Sequence, residues 1–255
     1  MTPADDTPVT PGRGGAARPL LERAGRLGPY FAVRGGTGDG PPPDGFRPLR
    51  ELYGHGADGP LARRIADVGR LLGTDEPRVA ASTVHLGLAA RLWSVALGPA
   101  VLGGAVPDLD PDRVHWALPP QGPLDLWLPQ PPAPAAGPLA DRLHRAVLAA
   151  NLAPLADAVR AYAPVAPGLL AGNAASALVG TVRVLAAAPG TAAEGVRTAA
   201  ALVRDLLGRP PLRGAGGFTA AGGRFRRTSC CLYYRVPGGG VCGDCVFDRP
   251  PARRR

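Results

Sequence analysis

The stretch that decides the reading is RFRRTSCCLYYRVPGGGVCGDCVFD, residues 224–248. It contains Cys230, Cys231, Cys242 and Cys245, spaced C-C-x10-C-x2-C, and the 255 residues hold no other cysteine. Four thiols confined to so short a window in a reducing compartment point to a metal, because thiolates are soft donors suited to zinc or iron–sulfur clusters. A bridge between Cys230 and Cys231 would set their Cα atoms about 3.8 Å apart, closer than disulfides allow. Cysteines used only as small apolar side chains have no reason to cluster.

Cys242–Cys245 is the chelating CxxC knuckle that zinc and iron–sulfur sites share. Zinc sites take spaced pairs from both loops, whereas adjacent cysteines in extended backbone point to opposite sides. They converge on one ion only through a strained turn. A two-iron cluster is a larger target, so the spacing favours a [2Fe–2S] centre over zinc. Gly238, Gly239 and Gly240 are expected to let backbone approach the cluster and to lend N–H donors to sulfur. Arg224, Arg226, Arg227 and Arg235 would offset its negative charge, but they read equally well as a solvated basic face.

Upstream, Gly208 and the connector 209–223 separate this module (224–248) from a mainly helical region, 19–208. Pro19–Arg26 reads as a short helix and Tyr30–Val33 as a strand. Leu61, Ile65, Val68, Leu71 and Leu72 form a helical stripe from Pro60 to Gly73. A second helix follows Thr74–Asp75 and runs to Gly98–Pro99. VHWAL and LDLWL, within Val114–Leu128, alternate like a short hairpin. Helices are expected again over Leu139–Asn151, from Pro154 to Tyr162, and over Leu169–Leu185. The last opens on a capping box, Thr191 with Glu194, and stops at Gly208 and Pro210. Residues 35–45 and 129–138 look like linkers, 1–18 a disordered tail and 249–255 a basic tail. The expected fold is therefore mainly α, with a short β-hairpin or extended element and a small C-terminal four-cysteine module.

The formal net charge of +9 comes entirely from arginine, since the chain has 29 basic residues and no lysine. With 36 Gly and 31 Pro this reflects GC-rich coding, and isolated Gly or Pro signals are discounted. No helix carries basic residues along one face and no sheet interleaves them with aromatics, so a nucleic-acid partner is not expected. Residues 1–18 have acids near the start and no apolar core of a secretory leader. The longest uncharged stretch, Ala161–Val182, is broken by Pro164, Pro167, Gly168, Gly172 and Asn173, so no integral membrane segment is expected. The expected location is cytoplasmic.

The segment RRTSCCLYYRVPGGGVCGDC resembles the C-terminal motif of the siderophore ferric-iron reductase family, the FhuF-type [2Fe–2S] proteins. VAASTVHLGLAARLWSVALG (79–98) and LLAGNAASALVG (169–180) are similar to that family's internal helices. The resemblance implies that all four cysteines ligate a [2Fe–2S] cluster, and that a FhuF-like helical domain spans 19–208. It further implies a ferric siderophore as substrate, reduced by one electron drawn from an unidentified donor so that Fe(II) is released.

No other catalytic constellation stands out. His55, His85, His115 and His144 are scattered, and G-x-S-x-G, Walker and H-E-x-x-H motifs are absent. GGTGDG (35–40) lacks a strand–helix frame and reads as linker. Trp93, Trp116, Trp127, His85, Arg91 and Asn173 are the docking candidates, although indoles at helical spacing usually belong to a core. Asn173, inside an apolar helix, needs a partner and marks either a pocket or a helix–helix hydrogen bond. A non-catalytic electron carrier or redox or iron sensor would need the same cysteines. A zinc-stapled helical interaction protein is the remaining alternative.

Overall fold

The computed structural model describes residues 17–35, 40–54, 56, 58–119, 122–129, 136–189, 191–219 and 223–251. His55, most of GGTGDG, the proline run 130–135 and Arg253–Arg255 lie outside them. In chain order the elements are α1 (Ala17–Gly25), β1 (Arg34–Gly35), β2 (Arg47–Pro48), α2 (Pro60–Leu72) and α3 (Pro77–Gly103). After these come β3 (His115–Ala117), β4 (Asp125–Leu128), α4 (Leu139–Leu143), α5 (Ala153–Tyr162), α6 (Pro167–Ala187), α7 (Ala193–Leu207), β5 (Gly216–Phe218) and β6 (Phe225–Arg227). The chain is mainly helical, with a small sheet and a cysteine-rich C-terminal module.

Helix α3 is the hub. It packs against α6, α2, α1 and α7 and is buried almost all round, which is what its uniformly apolar sequence requires. Small residues let α3 and α6 approach closely, and the Trp93 indole donates to the Ala174 carbonyl at 3.1 Å across the crossing. Both helices are long and apolar enough to cross a membrane, yet here most of their surface lies inside the protein. The sheet has the order β1-β4-β3-β2, with β1 parallel to β4 and the other pairs antiparallel. The expected hairpin is β3–β4, with Trp116 opposite Leu126 and both buried.

Several expectations need correction. The first strand is Arg34–Gly35 rather than Tyr30–Val33, which forms a turn pinned by Arg91. Leu71 is 81% exposed, and Gly69 takes the inward position in α2 beside Ala80. Helix α3 does not stop at Gly98–Pro99 but continues to Gly103. Gly98 packs so closely on Ala24 that a Cβ there would lie 2.8 Å from the Ala24 Cβ, so α1 supports the helix through Pro99. The two helices expected on either side of Pro154 are one continuous rod. Its middle, His144–Leu152, is π-helical, and the wider turn absorbs the missing proline N–H. The capping box does not form. Helix α7 starts at Ala193, so Thr191 sits one residue too early and its buried hydroxyl has no partner among the described residues, while Glu194 pairs with Arg197.

Candidate metal centre

The hairpin β5–β6 delivers the cysteines. Residues 209–223 contain β5, which pairs with β6 in the register Gly216 to Arg227. The Arg227 amide then donates to the Asp244 carbonyl at 3.0 Å, drawing the second cysteine pair alongside the first. Between the pairs, Leu232 is the one non-glycine among the described residues with positive φ, at 67°. Such left-handed backbone costs about 1–3 kcal/mol and persists only where its surroundings impose it. This is the strained turn that the adjacent cysteines would need to converge on one ion, and its presence removes the spacing argument against zinc.

Two of the four sulfurs accept a hydrogen bond from the amide two residues ahead. Leu232 N–H donates to Cys230 Sγ at 3.3 Å and Phe247 N–H to Cys245 Sγ at 3.4 Å. The amides of Tyr233 and Asp244 favour the ionised forms of Cys231 and Cys242. Amide donors favour thiolate over thiol and are a principal lever on cluster potential. Cys231 Sγ and Cys242 Sγ are 3.7 Å apart. Hydrogen bonds from the neighbouring thiols, Cys230 first, hold the Cys231 thiol far below its ordinary range, while Cys230 and Cys242 are pushed up by sharing with it. Cys231 and Cys245 are buried, and Cys230 and Cys242 half-buried. Among the described residues no three His, Cys, Asp or Glu side chains gather as they would around a single ion.

Two polar tethers fix this module to the central helices. Ser82 on α3 donates from Oγ to the Cys231 carbonyl at 2.7 Å. Asn173 on α6 donates from Nδ2 to the Ser82 carbonyl at 2.9 Å and lies 3.1 Å from its hydroxyl. On the other arm, Asp244 accepts from Ser176 Oγ at 2.6 Å and from Arg183 at 2.7 Å. At the rim Arg235 pairs with Glu76, just ahead of α3, at 2.7 Å and holds that carboxyl below its usual range.

The four arginines of this segment have separate fates. Arg226 pairs with Asp248, Arg235 with Glu76, and Arg224 is exposed. Arg227 is 2% exposed, with Nη2 on the Leu169 carbonyl at 3.1 Å and with Nε and Nη1 lacking any acceptor among the described residues. Burial lowers its affinity for a proton, opposed by the thiols of Cys231, Cys242 and Cys230. A buried guanidinium without an anion is costly, so the pocket fits a negatively charged group held by those sulfurs. The glycine run does less than expected. Gly239 closes a turn, its N–H bonded to the Val236 carbonyl at 2.8 Å, and the amides reaching sulfur come from other residues.

Most docking candidates prove to be framework. Trp93 is a core residue, and Trp116 donates to the Pro48 carbonyl beneath Arg47. Trp127 packs edge-on to His115, with ring centroids 5.5 Å apart. Arg91 ties the Leu124, Tyr30 and Ala32 carbonyls to α3. His85 is fully buried, and burial together with the Arg227 charge keeps it neutral. Asn173 makes the helix–helix bond and also relays it to the cysteine loop. Sequence reasoning missed Asp244, Ser82, Ser176 and Arg183. The available signal was polar residues spaced along otherwise apolar helices, Ser82 and His85 on α3 and Asn173, Ser176 and Arg183 on α6. A cleft of about 450 Å³ lined by Tyr30, Phe31, Leu86, Ala90 and Val184 has Asp244 in its wall.

Residues 227–247 match the family model described as the FhuF 2Fe-2S C-terminal domain, and the matched segment contains all four cysteines. No curated protein matches the chain. The cofactor of this centre is a [2Fe–2S] cluster, and residues 227–247 are a FhuF-type 2Fe-2S domain.

Proposed function

We propose that Cys230, Cys231, Cys242 and Cys245 ligate the cluster and that the protein is a cytoplasmic ferric-siderophore reductase. The observation supporting this most directly is the set of four thiols inside the matched segment, with Cys230 and Cys245 each accepting from the amide two residues on. Held by these four cysteines, a [2Fe–2S] cluster would supply one-electron chemistry between a donor protein and siderophore-held Fe(III). Iron(III) is held tightly by hard oxygen donors, and the Fe(II) product is held weakly and leaves.

The chain's own part is to hold and orient. Ser82 and Asn173 fix the first cysteine pair, and Ser176 and Arg183 fix the second through Asp244. Both arms are therefore braced against movement when charge arrives. Tyr233, Val241 and Phe247 leave the outer rim exposed, so a chelate can approach the cysteine loops without opening the helical body. No acid–base residue is needed, which agrees with the framework roles of His85, Trp93 and Arg91.

The test is to reduce the purified protein with dithionite and mix it with a panel of ferric chelates. Absorbance follows reoxidation and a ferrous chelator traps the product. Reoxidation matched by trapped Fe(II) is expected for at least one class of siderophore. A protein that holds iron and sulfide but is reoxidised by none is an electron carrier or a sensor. A colourless protein carrying one zinc overturns the reading.

A further inference from the structure

We propose that Arg227 is the resident counter-charge of the cluster, a buried cation that makes the reduced state easier to reach. The inference deepens the ligand reading above and rests on it. Its basis is the guanidinium itself, which is 2% exposed and has no carboxylate within ion-pair distance among the described residues. One nitrogen is anchored on Leu169, and Nε and Nη1 are left over.

The surroundings are arranged for this charge. Gly172 on α6 makes room for it, since a Cβ there would lie 2.9 Å from Arg227 Nη2 and 3.1 Å from Nε. His85 beside it is neutral, so no second cation competes. The nearby carboxylate of Asp244 is committed to Ser176 and Arg183. What remains to balance Arg227 is the sulfur group of Cys231, Cys242 and Cys230, all of them thiolates when they hold metal, in the loop whose second arm the Arg227 amide itself ties through the Asp244 carbonyl. Two ferric ions, two sulfides and four thiolates make a dianion, and one electron adds a further negative charge. A fixed cation in a low-dielectric pocket stabilises the reduced form more than the oxidised form and raises the potential.

The same geometry predicts opposite effects in the empty and loaded protein. Without metal, the sulfurs offer Arg227 less negative charge than the dianion does, and replacing it with a neutral residue is neutral or stabilising. With metal, the same change removes the balancing charge. A residue that only packs would be missed in both forms alike.

The experiment compares wild type, Arg227→Gln, Arg227→Lys and the exposed control Arg224→Gln. Midpoint potentials come from redox titration of the loaded proteins followed by absorbance and EPR. Stabilities of the metal-free proteins come from urea unfolding, and iron and sulfide are assayed throughout. Arg227→Gln should move the oxidised-to-reduced ratio at the wild-type midpoint at least tenfold towards oxidised, which is 59 mV for one electron. Arg227→Lys should move it less than tenfold, and Arg224→Gln not at all. Metal-free Arg227→Gln should be no less stable than the metal-free wild type.

A potential for Arg227→Gln equal to that of Arg224→Gln overturns the proposal. So does a metal-free Arg227→Gln protein less stable than wild type. If Arg227→Gln cannot retain metal, the metal-free comparison decides: unimpaired stability upholds the role and lost stability overturns it. No readout uses a ferric chelate. A shifted potential in a protein that reduces no chelate therefore upholds Arg227 while sinking the reductase reading, and an iron-free wild type sinks both.

Discussion

Ser82 and Cys231 lie 149 residues apart, and the hydroxyl of the first donates to the carbonyl of the second at 2.7 Å inside the protein. The same serine receives Asn173 from the opposing helix. Ser82→Ala leaves the Cys231 carbonyl without this partner and removes one contact of Asn173. The expected loss is about 1–3 kcal/mol of unfolding free energy, the cost of orphaning buried polar groups. Urea unfolding measures it, and iron should pass to an external chelator faster than in wild type. An unchanged rate of iron loss would show that the tether does not brace the cysteine loop.

Asp244→Ala acts on the other arm. Its carboxylate holds Ser176 and Arg183, and a hydrogen bond to a charged group contributes about 1.5–3 kcal/mol. The variant should bind less iron per chain while its far-UV circular dichroism stays helical. Full iron occupancy with wild-type release kinetics contradicts this.

Gly172→Ala tests the close approach of β6 to α6. Alanine is the better helix former, so helix propensity alone favours the variant. The added Cβ instead meets Arg227 and Ser229, and overpacking of this kind costs about 1–3 kcal/mol. Lowered stability by urea unfolding is expected, and a gain would mean that the arginine moves aside freely.

Histidine 85 gives the protein an acid limb. Burial, reinforced by Arg227, lowers its affinity for a proton to about 3 in the folded state. The unfolded chain takes up that proton near pH 6.5. The stability at stake is complete above the unfolded value and drains away as pH falls towards the folded one. Its slope approaches about 1.4 kcal/mol per pH unit. His85→Gln should flatten the decline in urea midpoint between pH 7.5 and 5.5, and parallel declines in the two proteins would falsify the assignment.

Cys231→Ser should lose the visible absorbance of the cluster and keep most of its helical circular dichroism. The main core runs through α2, α3, α6 and α7 with Trp93 at its centre and does not draw on this thiol. Collapse of the helical signal would mean that the cysteine module and the helical body fold as one unit.

The parts of this molecule that were legible in the sequence are those governed by local rules. Pro60 and Gly73 bracket α2 as first-turn proline and left-handed cap, and the alternation around Trp116 and Leu126 became a hairpin. The cysteine spacing pointed to a metal centre, but its argument against a single ion rested on a strained turn being needed, and Leu232 supplies that turn. What stayed hidden depends on partners distant in the chain. Pro154 looks like a boundary until the π-helical turn before it is seen, and Thr191 looks like a cap until α7 begins one residue late. Arg91 resembles a ligand contact, yet its acceptors are three backbone carbonyls 33 to 61 residues away. Asp244 reads as filler inside CxxC, and only the fold brings α6 against it.

The thread from Asn173 through Ser82 to the backbone of Cys231 also makes pigment a gauge of helix alignment. If α6 slipped along α3, the damage would surface in the iron pocket, and a pale preparation would betray a fault lodged in the greasy interior.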